Sequence, residues 1–210
     1  VVTIPFAGAL GEVNKLIPIP AEWARKFKGW ELDRETQEAS FLKINSIYKY
    51  LLSMLIMAVL PAVFEEVYFR SGLQNILTRW FRGPWIAIIL TSIIFSIIHL
   101  SYYGFLVRFG LGVILGMLFY YSKNVWLPIL FHFLFNGIQV TFIFIMTMNG
   151  IKIKKDLEQS FPLWMGLIAI VALTYLFLNF KRKSAELQLR YVGDVPEKNN
   201  LSQGFQNHDQ

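Results

Sequence analysis

The sequence predicts an all-α, polytopic transmembrane helical bundle, and three observations support this fold class. Hydrophobic residues make up 55% of the chain. Charged residues make up only 16%, whereas a soluble domain carries about 25%. The apolar residues are concentrated in about five runs, each near the roughly 20 residues that a membrane-spanning helix needs. We therefore expect an integral, multi-pass membrane protein embedded in the lipid bilayer.

The first region, 1–46, precedes the first clear span. Residues 1–20 are mildly apolar and include three prolines, and the chain starts at Val1 without a methionine. This stretch is typical of the end of an apolar segment, so we expect further spans upstream of it. Residues 21–46 are dense in mixed charge, and we expect most of them to form a helix at or outside the membrane interface.

The second region, 47–148, contains four of the predicted spans. The first runs from Ile47 to Phe69 with a bend at Pro61. Leu73, Ile76 and Leu77 then begin an apolar stripe at helical spacing, which predicts a separate interfacial amphipathic helix over 71–82.

The other three spans of this region follow at short intervals. A proline suited to a helix start opens the next span, and two glycines four residues apart allow close helix packing in the one after it. These spans are predicted at Pro84–Leu100, Phe105–Tyr121 (with Gly112 and Gly116) and Trp126–Met148.

The last two regions, 149–180 and 181–210, close the chain. The first is a loop followed by an uncharged span from Phe161 to Phe180, which we expect Lys181, Arg182 and Lys183 to stop. The second is a basic and then polar tail, predicted to be disordered beyond about Val192. The basic stop favours a cytoplasmic C-terminus.

Composition also excludes several functions. The chain has no cysteine, which removes disulfides, a thiol nucleophile and a Cys-ligated zinc site. The net charge of +6 is better explained by basic loops beside membrane spans than by nucleic acid. No basic stripe interleaved with stacking aromatics is present, so we expect no nucleic-acid partner.

The first unusual polar cluster is in the stretch FEEVYFR, at the end of the first apolar run. Carboxylates are costly at membrane depth and are seldom found there without a partner or a role. Glu66 and Arg70 are four residues apart and share a helix face, so we expect them to pair. Glu65 is rotated by about 100° from Glu66 and is expected to point elsewhere, with no local cation.

Two further clusters lie on later spans, His99 in FSIIH and His132 with Asn136 in HFLFN. Phe95 lies one turn before His99, so its ring can underlie the imidazole. His132 and Asn136 are one turn apart and can offer two donors in one direction. Taken singly, a histidine can bond a carbonyl and an asparagine can join helices. A carboxylate, two histidines and an amide together can activate a water and hold an oxyanion.

Other functions fit the sequence less well. Ser53, Ser92 and Ser96 lack the strand-turn-helix setting of a catalytic serine, and no HExxH zinc-peptidase motif occurs. A zinc ion held by Glu65 or Glu66 together with the two histidines stays possible. A non-catalytic membrane scaffold stays open too. A small proton-relaying transporter is weakened by the absence of a visible inverted repeat.

The three clusters match a known set of motifs in order and spacing. EEVYFR, FSIIH and HFLFN correspond to EExxxR, FxxxH and HxxxN, and the intervening FRSGLQNIL and NVWLPILFH are similar as well. From about Ile47 to Gln139 the chain resembles the CAAX protease and bacteriocin-processing family of intramembrane peptidases, also called the Abi family.

This resemblance implies a glutamate-type endopeptidase that needs no metal or other cofactor. Glu65 would be the general base that activates the hydrolytic water, and His99 would help to hold that water. His132 and Asn136 would stabilise the tetrahedral oxyanion.

The resemblance also bears on the supporting residues and the substrate. Glu66 and Arg70 would be the supporting pair. The substrate would be a membrane-associated or lipidated peptide or protein, since eukaryotic members trim prenylated CAAX proteins and bacterial members are linked to bacteriocin maturation and immunity. The alternatives are a zinc-dependent peptidase with the same residues and a non-catalytic scaffold or immunity protein. The sequence sets neither the cleavage site nor the oligomeric state.

Overall fold

Helices make up most of the chain in the computed structural model, which describes residues 2–41, 44–151 and 162–193. No strand occurs in these ranges. The seven helices of the described residues are α1 Thr3–Lys15, α2 Ala21–Phe41, α3 Ile47–Phe81, α4 Pro84–Ile98, α5 Phe105–Ser122, α6 Trp126–Met148 and α7 Leu163–Gly193. The prediction of an all-α helical bundle is confirmed.

Four of these helices are long and apolar enough to cross a membrane, by length and composition. They are α3, α5, α6 and the Leu163–Leu189 part of α7. The apolar helix α4 has only 15 residues, about 22 Å of helix against a hydrocarbon core of about 30 Å. The chain divides into two compact units between Leu173 and Thr174, and the candidate site lies in the first.

The helix α3 differs from its predicted form, because it is one helix of 35 residues. The separate interfacial helix predicted over 71–82 is its C-terminal part. Two segments of this helix, Leu55–Val59 and Val67–Gln74, are wide turns of π-helix. The first wide turn directly precedes Pro61, whose missing N–H and bulky ring disturb regular α-helical hydrogen bonding. The second begins directly after Glu66, and such wide turns are frequent at functional sites.

The helices α4 and α5 approach each other closely at the two glycines noted in the sequence. A Cβ atom on Gly112 would lie 3.0 Å from Cβ and 3.1 Å from Cα of Ser92. A Cβ atom on Gly116 would lie 3.0 Å from a side-chain carbon of Ile88. A side chain at either position would be crowded, so the two glycines favour this close packing of α4, the helix that His99 follows, against α5.

The bounds of α6 are as predicted, α4 and α5 start as predicted and end within two residues of the predicted ends, and α7 extends further than predicted. This helix continues through Lys181–Lys183 to Gly193, because lysine and arginine are good helix formers and stop an apolar span without ending its helix. Residues 181–193 are thus helical, and the disorder predicted beyond about Val192 concerns residues that lie almost entirely outside the described ranges. Phe161 and the rest of the tail, 194–210, lie outside the described residues. The predicted helix after residue 21 is present as α2.

Candidate active site

A buried ion pair stands at the centre of the site. The Nε atom of Arg70 donates a hydrogen bond of 2.8 Å to Oε2 of Glu66, and both residues are 0% exposed. Their i,i+4 spacing on α3 brings the side chains onto one face, as the sequence predicts. The guanidinium supplies the positive charge that a carboxylate needs inside an apolar bundle.

His132 from α6 completes this cluster. Its Nδ1 atom lies 2.9 Å from Oε1 of Glu66, and the residue is 8% exposed. A carboxylate paired with arginine only accepts hydrogen bonds, so we assign the proton to Nδ1 of His132. The other ring nitrogen, Nε2, faces Glu65 and lies 3.9 Å from its Oε2 atom.

Glu65 presents one buried and unsatisfied oxygen. Its Oε2 atom is buried and has no hydrogen-bond partner in the described ranges, although the side chain as a whole is 27% exposed. The sequence predicts no local cation for Glu65, and the tertiary structure changes this. Arg108, near the start of α5, lies close enough to interact with the charges of Glu65 and His99.

Phe95 brings the two histidines together. Its ring centroid lies 4.7 Å from that of His99 and 6.2 Å from that of His132. The guanidinium carbon of Arg70 lies 5.8 Å from the centroid of the same ring. Nδ1 of His99 lies 2.6 Å from the carbonyl oxygen of Phe95, so this nitrogen donates and Nε2 is left for a ligand. The predicted support of His99 by Phe95 is present.

Asn136 lies one turn beyond His132 on α6 and is half-buried. Within the described residues it makes no side-chain hydrogen bond, so its amide is available as a donor. An apolar groove of about 450 Å³ runs beside it, and this groove is lined by Tyr50, Met54, Phe133, Leu134, Gly137, Ile138, Thr141, Phe142 and Ile145. The four predicted catalytic residues are not part of that lining, so this groove is separate from the candidate active site.

Gln74 is a buried polar residue of the site that the sequence analysis did not select. Its Oε1 atom accepts a long hydrogen bond of 3.5 Å from Nη1 of Arg70. Its Nε2 atom donates one of 3.0 Å to the carbonyl oxygen of Gly116 on α5. The i,i+4 spacing that pairs Glu66 with Arg70 also pairs Arg70 with Gln74, so the signal was present in the sequence.

The first two helices hold the loop that follows His99. Asn14 on α1 is 1% exposed, donates to the carbonyl of Tyr102 at 2.9 Å and accepts from the amide of Leu106 at 3.0 Å. The hydroxyl of Ser101 donates to the carboxylate of Glu31 on α2, whose two oxygens lie 2.8 and 3.1 Å from its Oγ atom. Residues outside the three motifs therefore contribute to the setting of His99.

A metal centre was the runner-up interpretation of the same residues. In the described part of the chain, no group of three or more His, Cys, Asp and Glu residues is arranged to hold a metal ion. One ring nitrogen of His132 is already bonded to Glu66. A histidine that binds a metal commonly donates its other ring N–H to a carboxylate, so this hydrogen bond leaves Nε2 of His132 able to bind a metal.

The comparisons with known proteins agree with the motifs. Residues 47–138 match the family described as type II CAAX prenyl endopeptidase, Rce1-like. A stretch of 108 residues is 30% identical to the membrane-embedded CAAX protease MroQ of Staphylococcus aureus (strain USA300). That match covers 49% of this chain and 42% of the relative, so the chain spans less than half of the relative's length. No solved structure matches the chain.

The matched region contains all three motifs and most of the candidate spans. The match and the apolar helices together identify an integral, multi-pass membrane protein. All the motif residues lie within 47–138, and they are placed on α3, at the end of α4 and on α6. Through this region, which is less than half of the chain, the protein is similar to the Rce1-like family of CAAX prenyl endopeptidases.

Proposed function

We propose that the protein is an endopeptidase that hydrolyses a peptide bond at or near the membrane, with Glu65 as the general base for a water molecule. One observation supports this proposal more strongly than any other. Glu65 Oε2 is a buried acceptor without a partner in the described ranges, and it lies 3.9 Å from Nε2 of His132. In the proposed mechanism a water bridges these two atoms at about 2.8 Å from each, once the Glu65 side chain has turned its Oε2 atom toward that water.

The reaction then follows from these positions. Glu65 takes a proton from the water while the water oxygen attacks the carbonyl carbon of the peptide bond, and the carbonyl π electrons move to its oxygen. Asn136 donates to the oxyanion that forms. The C–N bond then breaks, its electron pair moves to nitrogen, and that nitrogen takes the proton from Glu65. When Nε2 of His132 is protonated and donates to the water, the second water hydrogen bonds to Nε2 of His99.

His132 has two states in this scheme. With the proton on Nδ1, the neutral ring accepts a hydrogen bond at Nε2 and helps to hold the water. Donation to the oxyanion needs the doubly protonated ring, which the carboxylate of Glu66 stabilises across the 2.9 Å contact. The buried Glu66–Arg70 pair therefore supports both states.

The proposed substrate is a peptide held at the membrane. The relative is named a membrane-embedded CAAX protease and the family a prenyl endopeptidase, so a lipidated peptide is the first choice. We propose that the reaction needs no metal or other cofactor, because Glu65 and the two histidines supply the acid–base groups.

The test compares the parent protein with Glu65→Gln and Glu22→Gln, purified in detergent. Glu22 is an exposed carboxylate, with a side chain 69% exposed, and serves as the matched control. Quenched peptides with and without a prenyl group are the substrates, each with and without a chelator, and metal content is measured on the same samples.

We expect chelator-resistant cleavage by the parent and by Glu22→Gln, and a loss of at least about 100-fold in Glu65→Gln, the low end of what a positioned acid–base group contributes. Equal rates for the parent and Glu65→Gln would show that Glu65 is not the base. Cleavage that disappears with chelator, in protein that contains stoichiometric zinc, would replace the mechanism with the metal-dependent one.

A further inference from the structure

Gln74 ends a continuous line of buried polar contacts that begins at His132. Nδ1 of His132 lies 2.9 Å from Oε1 of Glu66, and Oε2 of Glu66 accepts from Arg70 at 2.8 Å. Arg70 in turn donates to Gln74, and Gln74 donates to the backbone of α5 at Gly116. Glu66, Arg70 and Gln74 are each no more than 2% exposed.

From this line we infer that Gln74 is a positioning residue, which acts through Arg70 and Glu66 to hold His132 with its proton on Nδ1 and with Nε2 directed at Glu65. The effect on catalysis rests on the proposed function. The effect on the histidine ring does not, because it concerns only the hydrogen bonds of the resting protein.

Arg70 needs this support because its side chain is long and has few other partners. Its Nε atom bonds Glu66, its guanidinium lies near the ring of Phe95, and its Nη2 atom has no hydrogen-bond partner in the described part of the chain. Gln74 therefore supplies the acceptor for Nη1. Without it, the guanidinium gains rotational freedom, and the carboxylate of Glu66 can turn away from Nδ1 of His132.

Gln74 is itself fixed by the absence of a side chain at position 116. A Cβ atom on Gly116 would lie 3.0 Å from Oε1 of Gln74. The glycine at this position thus leaves room for the amide of Gln74 to lie against the backbone of α5 and bond its carbonyl, and a Cβ there would displace Oε1 by a few tenths of an ångström. The position of His132 on α6 is in this way linked to α5 through the side chains of Glu66, Arg70 and Gln74 on α3.

A purely structural role for Gln74 gives a different expectation. If Gln74 only joined α3 to α5, its loss would lower stability and leave the protonation of His132 unchanged. The discriminating measurement is therefore the ring nitrogen spectrum of histidine. The chain has three histidines, so 15N-histidine labelling gives three pairs of ring signals, which His99→Gln and His208→Gln variants assign.

The experiment compares the full chain with Gln74→Leu, Gln74→Glu, Gly116→Ala and Gln139→Leu in detergent. Gln74→Leu removes both contacts. Gln74→Glu keeps the acceptor for Arg70 and loses the amide donor to Gly116. Gly116→Ala leaves Gln74 intact and displaces its Oε1 atom. Gln139, an exposed glutamine bonded within its own helix at 3.1 Å, is the control.

In the parent and in Gln139→Leu, we expect His132 to be protonated on Nδ1 and unprotonated on Nε2. Gln74→Leu and Gly116→Ala should lose at least half of this Nδ1–H population, and Gln74→Glu should retain it. With a cleaved peptide, kcat of Gln74→Leu should fall about tenfold at unchanged KM, a part of what a positioned acid–base group contributes. If Gln74→Leu does not accumulate, Gln74→Glu and Gly116→Ala still decide.

An unchanged His132 spectrum in Gln74→Leu or in Gly116→Ala would overturn the inference. So would a loss of the Nδ1–H population in Gln74→Glu as large as in Gly116→Ala, because the cross-link to α5 alone would then explain the effect. A failure of the proposed function appears separately, as undiminished activity in Glu65→Gln, and it would leave the spectroscopic result valid.

Discussion

At the scale of single residues, Glu66 and its neighbour Glu65 both face the ring of His132 but differ in burial and in hydrogen bonding. Glu66 has both oxygens occupied, one by Arg70 and one by His132, and it is fully buried. Glu65 has a buried oxygen without a partner in the described ranges and a partly exposed side chain. The two adjacent carboxylates therefore differ in environment, and this difference is the basis for proposing Glu65, and not Glu66, as the base.

A first prediction at this scale concerns the ion pair. Arg70→Ala leaves Glu66 buried without its cation, and removal of one partner of a buried pair costs about 3–5 kcal/mol of folding free energy. We expect a strongly lowered midpoint of thermal unfolding in detergent, with a matching loss of yield and activity. The exposed pair Glu22–Lys26, at 2.9 Å, is the control, and Lys26→Ala should cost less than about 1 kcal/mol.

The double variant Glu66→Gln/Arg70→Met separates stability from activity. With the carboxylate and the guanidinium both removed, no charge stays buried at the pair, so we expect much of the lost stability to return. Activity should stay low, because His132 then lacks the carboxylate that accepts from Nδ1. A double variant as active as the parent would show that the pair serves packing alone.

At the scale of helices, the site depends on close packing between α4 and α5 and on an irregular α3. The wide turn Val67–Gln74 directly follows the two glutamates and ends at Gln74. The glycines of α5 let α4 approach, which sets Phe95 and His99 beside His132. A change in the wide turn of α3 or at the glycines of α5 should therefore alter the positions of His99 and His132.

The packing prediction uses two glycines as a matched pair. Gly112→Val places a branched side chain against the backbone of Ser92, where a Cβ would lie 3.1 Å from its Cα. Overpacking of this kind costs about 1–3 kcal/mol. At Gly72, a Cβ would meet only a backbone oxygen at 3.9 Å, so Gly72→Ala should be neutral or stabilising. Equal thermal midpoints for the two variants would contradict the tight contact.

At the scale of the whole molecule, large hydrophobic side chains are exposed along the candidate spans, as expected for surfaces that face lipid. Leu55 on α3 is 46% exposed and Trp30 on α2 is 48% exposed. Because their exposure is similar, a protein surrounded by water would tolerate a charge at either position. In a bilayer only the residue on the spanning helix should respond.

This difference gives the last prediction. Leu55→Lys puts a charge on an apolar span, at a cost of up to about 2.5–3.5 kcal/mol near the helix centre, and the amount of protein in the membrane fraction should fall several-fold. Trp30→Lys should accumulate like the parent. Equal recovery of the two variants after alkaline extraction of membranes would argue against α3 as a membrane-spanning helix.

The sequence by itself determined the fold class, the approximate extent of the spans and the i,i+4 pairs within single helices. These are local properties, since the number of apolar residues and the helical period suffice to predict them. The continuity of α3 from Ile47 to Phe81 was not predicted. The wide turn that continues the helix through Gly72 has no sequence signal as strong as a proline.

Only the tertiary structure decided which side chains of different helices meet. It placed His132 on Glu66, brought Arg108 near Glu65 and His99, and used Gln74 to tie Arg70 to α5. Helical periodicity gives the direction of a side chain around its own axis and contains no information on the neighbour that lies there. That neighbour depends on how closely two helices approach, which here depends on glycines far along the chain.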